Sequence, residues 1–61
     1  MIADKIKQLR TSRNMTQSDL AKKLNITRSS VNAWEMGLST PSTAYLAELS
    51  QLFHVSTDYL L

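Results

Sequence analysis

Residues 16–37 read TQSDLAKKLNITRSSVNAWEMG, and this stretch decides the fold. Leu20, Ala21 and Leu24 recur at the spacing of one helical face, which predicts a short helix over about 17–24. A second short helix follows after a turn of about three residues, because apolar side chains again recur three positions apart. Two short helices joined by a tight corner form a helix-turn-helix arrangement.

Apolar residues at helical spacing continue outside this stretch and predict an all-α chain. Thr16, Thr27 and Ser56 are placed to cap helix starts, because their hydroxyl groups accept hydrogen bonds from first-turn N–H groups. Asn14 and Gly37 are placed to end helices, since both residue types tolerate the left-handed backbone conformation. The five predicted helices lie over about 2–13, 17–24, 28–36, 43–53 and 57–61 of a single domain that spans residues 1–61.

The composition excludes several classes of protein. The 61 residues include no Cys, one His and one Gly. The chain therefore has no disulfide, no cysteine-ligated metal and no glycine-rich phosphate loop, and we expect neither a metal nor a cofactor. No apolar run approaches the roughly 20 residues that span a bilayer. These features predict a small cytoplasmic domain without enzymatic activity.

The charges of the chain are strongly polarised. Residues 1–31 carry all seven basic side chains and two acids, a formal charge of +5, whereas residues 32–61 carry three acids and no base, a charge of −3. A chain of this kind can present a basic half to a polyanion. On charge alone, a solvated basic surface without a partner is an equally good interpretation.

The combined pattern resembles a known family. Residues 16–37, Arg10, the pair Pro41-Ser42 and the closing residues 55–61 are similar to the phage repressor and Cro family, also called the Xre family. The resemblance covers essentially the whole chain and implies a compact five-helix, lambda-repressor-like DNA-binding domain. It further implies a sequence-specific transcriptional regulator, a repressor of bacterial or phage origin. As a homodimer it would place two recognition helices about 34 Å apart on a near-palindromic duplex.

The resemblance also assigns roles to individual residues. Base contacts are expected from Thr27, Arg28, Ser29, Asn32 and Ala33. The resemblance implies a phosphate contact from Gln17. From the residues themselves, Ser39 and Thr40 are expected to donate weaker hydrogen bonds to phosphates, and Lys22 is a further phosphate candidate with a solvated face as its alternative. Arg10 and Glu35 match a structural pair that ties the first helix to the third.

Some of these roles have alternatives. Arg28 is the best candidate for reading guanine, and its alternatives are a phosphate contact and free solvent. Ser29 and Asn32 are as consistent with a solvated surface, and Ala33 with an ordinary helix former. Trp34 is expected in the core rather than stacked on a base.

The chain departs from the family pattern at two places and has an apolar C-terminus. Asn25 stands where glycine is commonest, and the loop 38–42 has no Lys or Arg. Tyr59, Leu60 and Leu61 are expected to form a dimer contact, with continuation of the chain into a further segment as the alternative. The rival function is an antitoxin-like or regulator-binding protein-interaction module with the same fold.

Overall fold

Five α-helices build the chain in the computed structural model, which describes residues 2–61. The helices are α1 Ile2–Ser12, α2 Gln17–Leu24, α3 Arg28–Glu35, α4 Thr43–Phe53 and α5 Thr57–Leu60. The described residues form no β-strand, and the predicted all-α, five-helix fold class is confirmed. No helix among them is long and apolar enough to cross a bilayer.

Three helices end one residue earlier than predicted. The expected ends were Arg13, Met36 and Leu61, and each of these residues lies just beyond its helix. The N–H of Arg13 bonds to the Arg10 carbonyl three residues back, at 3.1 Å, and the N–H of Gly37 bonds similarly to Trp34 at 3.3 Å. The last turns of α1 and α3 therefore tighten before the predicted ends. Leu61 caps α5.

Hydroxyl side chains begin four of the helices. Each accepts a hydrogen bond from the backbone N–H three residues later, which satisfies one first-turn donor. These caps are Thr16, Thr27, Ser42 and Ser56, with donor–acceptor distances of 3.0, 3.3, 3.4 and 3.0 Å respectively. At α2 the Asp19 carboxylate also accepts from the N–H of Thr16 at 2.9 Å, which completes a capping box.

A common backbone motif ends the first four helices. A left-handed residue comes first, and the next residue donates its N–H to the carbonyl five positions back, as in a Schellman motif. The left-handed residues are Asn14, Asn25, Gly37 and His54, with φ between 56° and 75°. At the corner between α2 and α3, the N–H of Ile26 bonds to the Ala21 carbonyl at 2.9 Å. Backbone geometry therefore fixes the direction in which α3 leaves the turn.

All five helices contribute to one core. Its buried apolar side chains are Ile6, Leu20, Ala21, Leu24, Val31, Trp34, Leu49, Phe53 and Leu60. Ala21, a small residue on α2, is buried in this core. The interpretation of Leu60 as a dimer contact is wrong, since its side chain is fully buried in the core of its own chain. Tyr59 and Leu61, in contrast, are exposed.

We expect Thr16→Ala to lower the free energy of unfolding by about 1 kcal/mol, because it removes the side-chain acceptor of the capping box. Urea unfolding followed by circular dichroism measures the change. Ser18→Ala is the matched control in the same turn, where Ser18 is exposed, and we expect it to shift stability by less than about 0.5 kcal/mol. Equal effects of the two substitutions would contradict the capping role.

Candidate DNA-binding surface

Helix α3 has a buried inner face and a polar outer face. Val31 and Trp34 on the inner face belong to the core. On the outer face Arg28 and Ser29 are exposed, and Asn32 is half-buried. The hydroxyl oxygen of Thr27, which was expected to contact bases, accepts the capping bond from the Ser30 N–H and lies 3.2 Å from the Ser30 hydroxyl. The side chains that project from α3 are therefore polar or small at the positions expected to meet base edges.

An open groove of about 450 Å³ runs beside this outer face. Ser29 and Ala33, from the expected base contacts, line it together with Ser39 and Thr40, from the expected phosphate contacts. The structure thus brings these four residues of α3 and the following loop together. The groove lining contains hydroxyl and apolar groups and no charged side chain.

Lys22 lies apart from this groove. It lines a separate hollow with Met15, Asp19 and Lys23, on and before α2. Both lysines are exposed, and so the structure places them in solvent rather than against the core. Lys22 therefore adds positive charge to the surface, but it does not line the groove that contains Ser39 and Thr40.

Arg10 and Glu35 form a bidentate ion pair between α1 and α3. Arg10 Nε lies 2.7 Å from Glu35 Oε2, and Arg10 Nη2 lies 2.9 Å from Glu35 Oε1. The Arg10 side chain is only 10% exposed, and the Glu35 side chain is only 3% exposed. Arg10 Nη1 donates a further bond to the Met15 carbonyl at 2.8 Å. The pair therefore joins α1, the turn after it and α3.

Gln17 connects the start of α2 to the same cluster. Its Nε2 donates one hydrogen to Glu35 Oε1 at 3.1 Å and the other to Asn32 Oδ1 at 3.2 Å. Both amide hydrogens are engaged within the protein, so the side chain has no hydrogen left for the phosphate contact that the family resemblance implies. The backbone N–H of Gln17 belongs to the first turn of α2, where N–H groups have no intrahelical partner. The sequence gives no signal for this link, because neutral amides fifteen residues apart follow no periodic pattern.

The two charged members of the cluster have shifted pKa values. Burial raises the pKa of Glu35, but hydrogen bonds from Arg10 and Gln17, with the charges of Arg10 and Lys7, leave it below its ordinary value of 4.5. The hydrogen bond to Glu35 raises the pKa of Arg10, against the effect of burial. Both groups are therefore held in their charged forms.

Acid is expected to weaken the fold through Glu35. Since the folded-state pKa lies below the ordinary value of 4.5, ionised Glu35 stabilises the fold above pH 4.5. This contribution disappears as the pH falls through the folded-state pKa. Asp19 acts in the same direction, because the hydrogen bonds of the capping box lower its pKa. Thermal unfolding at a series of pH values measures the effect, and Glu35→Gln is expected to flatten the profile. An unchanged slope in that variant would contradict the assignment.

Some basic residues have structural partners that sequence reasoning missed. Arg13 Nη2 donates to the Phe53 carbonyl at 2.8 Å, and its guanidinium lies 5.1 Å from the centre of the Phe53 ring. The Lys5 ammonium lies 4.0 Å from the centre of the Tyr59 ring. Together with Arg10, these residues hold the fold, so the excess positive charge of residues 1–31 is only partly available to a partner. Such contacts leave no periodic pattern in the sequence, because the two residues of each pair are far apart along the chain.

The two short helices, the tight corner and the polar outer face define a helix-turn-helix domain. A family model described as helix-turn-helix matches residues 6–60, and the chain belongs to this family, of the Xre type. The members are DNA-binding transcription regulators rather than enzymes. Residues 2–61 contain no cluster of three or more His, Asp or Glu side chains that could hold a metal ion.

Curated relatives and a solved structure agree with this membership. The HTH-type transcriptional activator BcrR of Enterococcus faecalis is 40% identical over 58 residues, which cover 95% of this chain and 28% of BcrR. The SPbeta prophage-derived HTH-type transcriptional regulator YonR of Bacillus subtilis is 38% identical over 61 residues, 100% of this chain and 56% of YonR. The crystal structure of SinR, master regulator for biofilm formation, in complex with DNA has a TM-score of 0.87 at 34% identity, covering 98% and 97% of the two chains. The chain thus spans 28% of the length of BcrR and 56% of the length of YonR.

Proposed function

We propose that this chain binds duplex DNA sequence-specifically and regulates transcription, with α3 in the major groove. The observation that carries the proposal is the outer face of α3, where Arg28 and Ser29 are exposed and Ser29 lines a groove with hydroxyl groups of the following loop. Side chains of this size and polarity can reach base edges. The likeness to SinR, which is solved with DNA, supports the same conclusion.

The contacts divide into base reading and backbone positioning. Arg28, Ser29, Asn32 and Ala33 read bases, while Thr27 mainly caps α3. Phosphates are held by the loop hydroxyls of residues 39–40, by Lys22 and by the backbone at the start of α2. Since the loop carries no basic side chain, Arg28 and the exposed lysines supply the charge attraction.

The proposed assembly on DNA is a homodimer on a near-palindromic site. The domain is at most 24 Å across its Cα atoms. Two domains side by side can therefore place their recognition helices about 34 Å apart, one turn of the duplex. Exposed Tyr59 and Leu61 at the C-terminal end are the candidate dimer contacts.

The proposed regulatory outcome is repression by occupying a promoter, in the cytoplasm of a bacterium and on its nucleoid. The prophage origin in the name of YonR supports a phage-related setting. BcrR is named an activator, so activation is the competing outcome within the same family. A reporter gene behind the selected operator separates the two by the sign of its response.

Selection of bound duplexes from a random pool at moderate salt tests the proposal. Enrichment of a two-fold symmetric motif with half-sites one helical turn apart is the expected result. Weak retention that disappears with salt and enriches no motif would contradict it. A salt-insensitive protein partner would then favour the protein-interaction module.

A further inference from the structure

A chain of hydrogen bonds that starts at a carboxylate orients the side-chain amides of the site. Glu35 is held in its ionised form, and an ionised carboxylate only accepts hydrogen bonds. The Gln17 amide must therefore turn its nitrogen toward Glu35 Oε1, where Nε2 lies at 3.1 Å. Arg10 holds the carboxylate from the other side, so the acceptor that Gln17 meets has a fixed position.

The second hydrogen on Gln17 Nε2 orients Asn32 in turn. Nε2 lies 3.2 Å from Asn32 Oδ1, and a nitrogen that carries hydrogens can make this approach only to an acceptor. The oxygen of the Asn32 amide thus faces Gln17. Its nitrogen, on the other branch of the same planar group, points away from Gln17. No hydrogen bond within residues 2–61 uses that nitrogen.

We infer that the Glu35–Gln17–Asn32 chain makes Asn32 a hydrogen-bond donor toward DNA, so that Asn32 favours guanine over adenine at one base position. The inference rests on the proposed function, because it requires α3 in the major groove. Guanine presents two acceptors there, N7 and O6, whereas adenine presents one acceptor beside one donor. An unconstrained asparagine pairs with adenine through its oxygen and nitrogen together, and here Gln17 holds the oxygen. Asn32 reads the base, and Gln17 is a positioning residue.

Selections from a random duplex pool with the 61-residue chain and three variants test this inference. Asn32→Ala locates the base position that residue 32 reads, since its preference disappears there. Arg28→Ala shows whether α3 reads DNA at all. Gln17→Met keeps the size of the side chain but removes both donors, so the Asn32 amide can rotate. Far-ultraviolet circular dichroism and thermal unfolding establish that each variant is folded.

The expected result is guanine at the located position for the unaltered chain. In Gln17→Met, the affinity for adenine relative to guanine at that position is expected to rise about fivefold or more. Adenine as the preference of the unaltered chain overturns the inference, and so does an unchanged ratio in folded Gln17→Met. If Asn32→Ala changes no position while Arg28→Ala changes one, the inference fails and the proposed function stands. If no chain enriches a motif, both fail.

A measurement on the DNA makes the test independent of the Gln17 variant. The base analogue 7-deazaguanine lacks the N7 acceptor of guanine. At the located position it is expected to weaken binding of the unaltered chain about fivefold or more and to leave binding of Asn32→Ala unchanged. Equal effects on both chains would show that Asn32 is not the donor.

Discussion

Replacing Arg10 by alanine is expected to lower the free energy of unfolding by about 3–5 kcal/mol. The substitution leaves the Glu35 carboxylate, 3% exposed, without its bidentate partner. It also removes the bond from Arg10 to the Met15 carbonyl. A domain of this length has a total stability of only about 3–9 kcal/mol, so much of the variant is expected to be unfolded at room temperature. Urea unfolding in a stabilising osmolyte keeps the loss measurable.

The double variant Arg10→Ala/Glu35→Ala is the control for an unpaired charge. We expect it to be more stable than Arg10→Ala alone, because no buried carboxylate is left without a partner. An exposed ion pair would contribute at most about 1 kcal/mol. A loss of that size in Arg10→Ala, with no recovery in the double variant, would mean that water screens the pair.

Arg28→Ala is expected to weaken binding to the preferred operator by about 1–3 kcal/mol, or about 5- to 150-fold, and to relax one base position. Arg28 is exposed at the start of α3 and makes no hydrogen bond within residues 2–61. Its removal is therefore expected to change stability by less than about 0.5 kcal/mol. Competition binding with single-base operator variants measures the effect, after the operator has been selected.

Lys22→Ala is the matched control, because it removes a positive charge from a residue that is not expected to read bases. Lys22 is exposed on α2, away from the groove beside α3. Its loss is expected to weaken binding to all duplexes by a similar factor and to lower the salt slope by about one. An Arg28→Ala variant that keeps the full sequence preference of the unaltered chain would refute base reading by Arg28.

Features that depend on neighbouring residues could be predicted from the sequence. Threonine and serine caps, asparagine at helix ends and apolar stripes act within a few residues of the chain, and the structure has them where the pattern places them. The contact between Arg10 and Glu35 was implied by family resemblance, since nothing local connects residues 25 apart. Local physics thus predicted the helix caps and apolar stripes, whereas the family resemblance predicted the ion pair between α1 and α3.

Other features required the three-dimensional arrangement. Leu60 is the last residue of a helix of four residues and Leu61 follows it, and four residues are too few for periodicity to decide which leucine is buried. The structure buries Leu60 and exposes Leu61. The orientation of the Asn32 amide depends on Gln17, which lies on α2, and through Gln17 on Glu35, which lies on the next turn of α3. The sequence therefore predicts Asn32 as a base contact, but it does not predict the direction in which the amide nitrogen of Asn32 points.

The division of α3 into two faces bears on how such regulators diverge in evolution. Backbone hydrogen bonds hold the corner before α3. Val31 and Trp34 hold the inner face of α3 in the core. Arg28 and Ser29 contribute nothing to that support, so mutation can exchange them and create a new target site at little structural cost. Asn32 is different, because it shares a hydrogen bond with Gln17. A lineage that changes Asn32 is expected to change Gln17 with it, which makes the two positions covary among descendants.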